Sequence, residues 1–150
     1  IQFAYETVPD ICIGTDVIVG FPGETDDLFQ ETEKYLRESP IHYFHVFSYS
    51  ERDFARSKKL EGQVSPIEIA KRSQVLRELS QRKKTAFSAQ FINSTQSILF
   101  EKGKGDYAQG LTENFIKVQV KTNQDLRNQI LPVSLDDVSK AGLLGEIVSP

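Results

Sequence analysis

The 150-residue sequence contains no methionine, no tryptophan and one cysteine, Cys12. A single thiol excludes an intrachain disulfide, and it excludes any zinc or iron-sulfur site built from several thiolates of this chain. No apolar run approaches the roughly 20 residues a bilayer span requires, and the N-terminus lacks the basic and apolar regions of a secretory signal. The expected compartment is therefore the cytoplasm. Because methionine is absent and Ile1 is not an initiator, the chain is expected to be an excised piece of a longer protein. The Gly-Lys-Ser/Thr ending of a phosphate loop is missing, and no serine, cysteine or acid arrangement near a histidine forms a nucleophile triad.

What is present is an ordinary globular balance, 39% hydrophobic and 26% charged, with a net charge of -3 distributed unevenly. Residues 1–50 carry two basic against nine acidic side chains, residues 51–90 ten against five, and residues 91–150 six against seven. The basic middle is compatible with an anionic partner or with solvated helix faces.

Residues 11–20, ICIGTDVIVG, form a β-branched apolar run that reads as a buried parallel strand. After the turn Phe21-Pro22-Gly23-Glu24, Thr25 can cap a helix whose dipole Asp26 and Asp27 complement. Leu28, Phe29, Tyr35 and Leu36 recur at helical spacing until Ser39-Pro40. A second strand follows over 41–49. Strands alternating with helices imply a parallel sheet, and two strands are too few, so further strands are expected upstream and the exposed edges are expected to drive self-association. Ser65-Pro66-Ile67-Glu68 starts a helix that can run to about Ile92, with Ile69, Leu76, Leu79 and Phe87 inward and Lys71, Arg72, Arg82, Lys83 and Lys84 in water. At about 1.5 Å per residue it is long enough to link two domains. From Asn93 the period becomes two, with glycine-containing turns, as in a small closed OB-like β-barrel. The domain boundary is placed there, giving 1–92 and 93–150.

Three segments could carry chemistry. The glycine and proline turn after Asp16-Val17-Ile18-Val19 lies where α/β folds place ligands, or it is an ordinary strand-to-helix turn whose Glu24 binds its own loop amides. His42 and His45, three apart on a strand, point to opposite faces and do not share a metal; His45 is expected to fill a polar slot at the strand end. Gly110 to Val118 puts a turn, donors, an aromatic and a lysine on one strand. It could stack a base and contact phosphate, or place Phe115 in the barrel core and Lys117 on a solvated face.

Taken together, DVIVGFPGET (16–25), HVFSYSER (45–52), the basic linking helix, LFE (99–101) and GLTENFIKV (110–118) resemble the radical S-adenosylmethionine methylthiotransferases. The wording of YSER and of GLTENFIKV is most similar to the branch that methylthiolates C2 of threonylcarbamoyladenosine beside the tRNA anticodon. Related members act on isopentenyl-adenosine in tRNA or on a ribosomal-protein aspartate, and a non-catalytic nucleic-acid-binding module is the alternative of another class. The resemblance implies an α/β plus all-β chain: residues 1–92 as the end of a partial (β/α) radical-SAM barrel with its linking helix, and 93–150 as a TRAM RNA-binding barrel. It implies that Ile18, Gly20, Phe47 and Ser48 lie at the S-adenosylmethionine pocket and that Thr112, Asn114, Phe115, Lys117 and Lys121 meet the tRNA anticodon stem-loop. The family uses S-adenosylmethionine and two [4Fe-4S] clusters. Their cysteine motifs are absent here, so this piece is expected to bind neither and to have no catalytic residue or metal of its own. The segment Asp53-Phe54-Ala55 stands where many members have Pro-Gly-Thr.

Overall fold

The computed structural model describes residues 1–101, 103, 105–139 and 141–148. They divide into two compact units, residues 1–9 with 13–84, and residues 10–12 with 85–150. The first unit opens with a short helix, α1 (Gln2–Thr7), that buries no residue and that no periodic pattern announced.

The core of this unit is a strand-helix-strand repeat. Strand β1 (Gly14–Val19) crosses over through α2 (Asp26–Glu38) to pair in parallel with β2 (Tyr43–Ser48), Ile18 facing Phe47 and Val19 facing Ser48. Only one face is buried. Val17, Val19, Phe44 and Val46 pack with Leu36, Ile41, Leu76 and Leu79, whereas Asp16, Ile18, His45 and Phe47 lie on the open face. The run at 11–20 is thus half-buried rather than fully buried, because helices cover one side of this two-stranded sheet.

Thr25 caps α2 by accepting a hydrogen bond from the Leu28 amide at 3.3 Å. Of the four apolar residues that recur at helical spacing, Phe29 and Leu36 face inward, whereas Leu28 and Tyr35 are exposed. The long helix α3 (Pro66–Ala89) starts as its sequence predicts, the Glu68 amide donating to Ser65 Oγ at 3.2 Å. It ends three residues before Ile92. There the amides of Gln90, Phe91 and Ile92 each reach back three residues instead of four, and Asn93 turns left-handed at φ 66°.

Two cations assigned to water are not there. Arg72 is 4% exposed, and Lys83 donates to the carbonyls of Leu36, Arg37 and Ser39, closing the C-terminus of α2. A third contact seals the sheet. Ser80 Oγ accepts from the Phe44 amide and donates to the Phe44 carbonyl, both at 2.8 Å, so α3 occupies hydrogen-bonding groups at the outer edge of β2.

The second unit is a closed barrel of five strands: β3 (Thr95–Phe100), β4 (Tyr107–Leu111), β5 (Lys117–Lys121), β6 (Ile130–Ser139) and β7 (Gly142–Ile147). Around the barrel their order is β3-β4-β5-β7-β6, every neighbour antiparallel except β5 and β7. This is the OB-like architecture the period-two pattern predicts. Its interior is filled by Ile98, Phe100, Val118, Val120, Val133, Leu135 and Leu143, with Phe87, Phe91, Ile116 and Leu126 packed into the same core. Gly145 lies so close to the Ser134 carbonyl that a side chain would collide with it.

Candidate functional site

On the first unit, the register of the parallel pair brings Ile18 and Phe47 side by side on the open face, 57% and 52% exposed. They form an apolar surface on which a flat heteroaromatic ring could pack. Below them on the same face, Asp16 stands opposite His45, whose ring meets Tyr43 edge-on at 5.6 Å. His45 is therefore exposed in mid-strand instead of filling a slot at its end. His42 lies just before β2, where its Nδ1 accepts the Ile13 amide at 3.0 Å. Burial, then the charge of Lys83, lowers its pKa.

Gly20 and Ser48 turn the other way. Gly20 adopts φ +83°, its amide donates to Glu24 Oε2 at 3.2 Å, and a Cβ there would strike Ile69 of α3. Ser48 Oγ lies 3.3 Å from Ser73 Oγ. Glu24 thus binds an amide of its own loop, as the ordinary-turn reading had it, and its other oxygen pairs with Arg72 Nη1 at 2.6 Å. Arg72 Nη2 also meets Asp26 at 2.5 Å. Burial opposes the guanidinium charge, but hydrogen bonds and charge from Glu24 and Asp26 outweigh it and raise the pKa. No group of three or more potential metal-ligating side chains occurs among the described residues. With one cysteine, the residues present do not fit an iron-sulfur cluster.

On the barrel, Gly110 to Val118 is not one strand. Thr112 to Ile116 form the turn joining β4 to β5, with Phe115 left-handed at φ 62°. Thr112 is buried; its hydroxyl accepts the Ile116 amide at 2.9 Å and bonds to Asn114 Oδ1 at 2.5 Å. The Asn114 amide group donates to the Asp10 carbonyl at 3.0 Å. These two residues build the turn. Phe115 projects from it, 74% exposed and outside the core. Lys117 and Lys121 are exposed at the two ends of β5, paired across the ladder with Leu111 and Tyr107, and Gln109 faces Gln119 between them. The outward face of β4 and β5 therefore combines two lysines, two glutamines and the half-exposed ring of Tyr107. Sequence reasoning passed over Tyr107, Gln109 and Gln119; alternation with the inward-facing Ala108, Val118 and Val120 would have found them.

In OB-type barrels the second and third strands form the oligonucleotide-binding face, and β4 and β5 hold those places here. No family model matches the chain. Among curated proteins, it is 36% identical over 127 residues to the threonylcarbamoyladenosine tRNA methylthiotransferase MtaB of Aquifex aeolicus, covering 79% of this chain and 28% of that protein. It is 36% identical over 146 residues to the tRNA-2-methylthio-N(6)-dimethylallyladenosine synthase of Symbiobacterium thermophilum, covering 95% of this chain and 31% of that one. The MtaB of Bacillus subtilis is 30% identical over 135 residues, with 87% and 30% covered. Over most of its length the chain is thus similar to curated tRNA methylthiotransferases, the family its motifs resemble. It spans about a third of the length of the curated relatives it matches.

Proposed function

We propose that this chain is the C-terminal part of a tRNA methylthiotransferase, in which residues 93–150 bind the anticodon stem-loop as a TRAM domain and residues 1–92 complete a radical-SAM barrel. The observation that carries the RNA reading is the outward face of β4 and β5, where exposed Lys117 and Lys121 flank the strand and Phe115 projects from the adjoining turn. Such a surface supplies phosphate contacts and a stacking platform. Thr112 and Asn114 serve it indirectly, by holding the turn that presents the ring.

Ile18 and Phe47 fit the adenine of S-adenosylmethionine as an apolar surface, with Gly20 and Ser48 fixing the strand ends against α3. When bound in the intact enzyme, that group supplies the radical and the methyl. No cluster is assigned to these residues, and catalysis is not expected of them alone. The proposed substrate is threonylcarbamoyladenosine, on the wording of the 45–52 and 110–118 motifs and on the relatives named for it. Dimethylallyladenosine is the second reading, on the relatives named for that base.

The test is a salt titration of the chain with an anticodon stem-loop and an unrelated hairpin. Salt-sensitive binding that prefers the stem-loop supports the proposal. Absence of binding at low salt removes RNA as a partner of this barrel.

A further inference from the structure

The barrel carries a groove that the lysine and phenylalanine surface does not account for. The parallel ladder between β5 and β7 ends at Val120 opposite Gly145. Beyond it Lys121 pairs only with Tyr107 of β4, and Glu146 and Ile147 pair only with Ser134 and Val133 of β6, so the strands part. The opening has a volume of about 540 Å³, within the range of small-ligand sites, and is lined by Tyr107, Gln119, Lys121, Gln124, Asp136 and Glu146 among others.

A second observation sharpens this. Strand β6 is irregular between Leu135 and Asp137, so Asp136 is the extra residue of a bulge, a device that re-aims a side chain. Its Oδ1 accepts from Ser134 Oγ at 3.3 Å, leaving Oδ2 for another donor.

The charge pattern selects the occupant. Among the described lining residues, two carboxylates stand against one lysine, which is unfavourable for a run of phosphates and argues against a simple backbone track. Carboxylates instead accept hydrogen bonds from an amine, as Asp and Glu do from the exocyclic amine of cytosine. The Tyr107 ring offers a face for stacking, and Lys121 at the rim suits a single phosphate.

We propose that this groove seats one unpaired nucleobase bearing an exocyclic amine, with Tyr107 stacking on it and Asp136 and Glu146 accepting from its amine. The inference rests on the RNA reading above and adds a base preference to it. Cytidine and uridine decide the matter, since they share size and shape and differ on the pairing edge, where cytidine offers an amine donor at position 4 and uridine an acceptor there with its proton at N3. Short oligocytidylate and oligouridylate of equal length, titrated with the full chain, are expected to differ about 10-fold in affinity, cytidylate tighter.

Replacing Asp136→Ala and Glu146→Ala together should collapse that ratio toward one without weakening uridylate binding, because negative charge is removed. Tyr107→Ala should weaken both by about 10-fold, with Tyr107→Phe restoring them. Equal affinity for the two probes, or a preference that survives the double alanine variant, overturns the groove assignment while leaving the RNA reading intact. Binding of neither probe, nor of the anticodon stem-loop, overturns both.

Discussion

Arg72 shows how one residue's role depends on what lies far away in sequence. A helix position flanked by lysine and serine looks solvated, yet its guanidinium lies under the turn that follows β1, paired with Glu24 and Asp26 across 48 and 46 residues. Local pattern contains nothing of those separations. Caps, by contrast, involve neighbours three residues apart, and Thr25 and Ser65 were legible for that reason. Arg72→Ala should cost about 3 kcal/mol of stability, the low end for breaking a buried pair because Asp26 is largely in water. Urea unfolding of the variant measures it, and an unchanged midpoint would refute the buried-pair account. His42 sets a pH dependence. The unfolded chain takes up a proton near pH 6.5, whereas the folded ring, desolvated and near the charge of Lys83, takes one up only at lower pH. Its contribution is full above that value and declines as pH falls through the window beneath it. His42→Gln should flatten that part of the stability profile.

Among the elements, the strand-helix-strand order, the long helix and the period-two barrel apart from its β4–β5 turn were readable, since their apolar periods of 3.6 and 2 are strong. The turn from Thr112 to Ile116 was not. Its left-handed position is occupied by Phe115 rather than by glycine, so the usual punctuation is missing and two strands with their turn read as one. A Phe115→Gly variant should keep or raise thermal stability, as the conformation costs glycine nothing and the ring is outside the core. The edge of β2 offers a second element-scale test. Ser80→Ala leaves the Phe44 amide and carbonyl without their hydroxyl partner, for a loss of about 1–3 kcal/mol, and reopens the edge to pairing. Light scattering over a range of protein concentrations should show more self-association than in the parent chain. An unchanged mass would mean that the helix backbone alone shields the strand.

At the scale of the molecule, periodicity could indicate a barrel but not the order in which its strands meet, because the parallel contact of β5 with β7 joins segments separated by β6. The antiparallel ladder of β4 and β5 decides which side chains share the outward face, and it sets Tyr107 opposite Lys121 with Lys117 at the other end. Lys117→Ala should therefore lower the salt slope of RNA binding by about 0.7–1, one phosphate's worth of released counterions. Phe115→Ala should cost about 1–3 kcal/mol of binding with little change in stability, and the reverse outcome would return the ring to a packing role. The Ser80 contact bears on the first unit as a whole. Its two hydrogen bonds spend the outward groups of Phe44 locally, while β1 has no strand on its far side among the described residues. The two edges of the sheet are consequently unlike, one capped by a helix hydroxyl and one without a neighbouring strand among the described residues. At Phe44, α3 acts as a terminator that stops the sheet on that side.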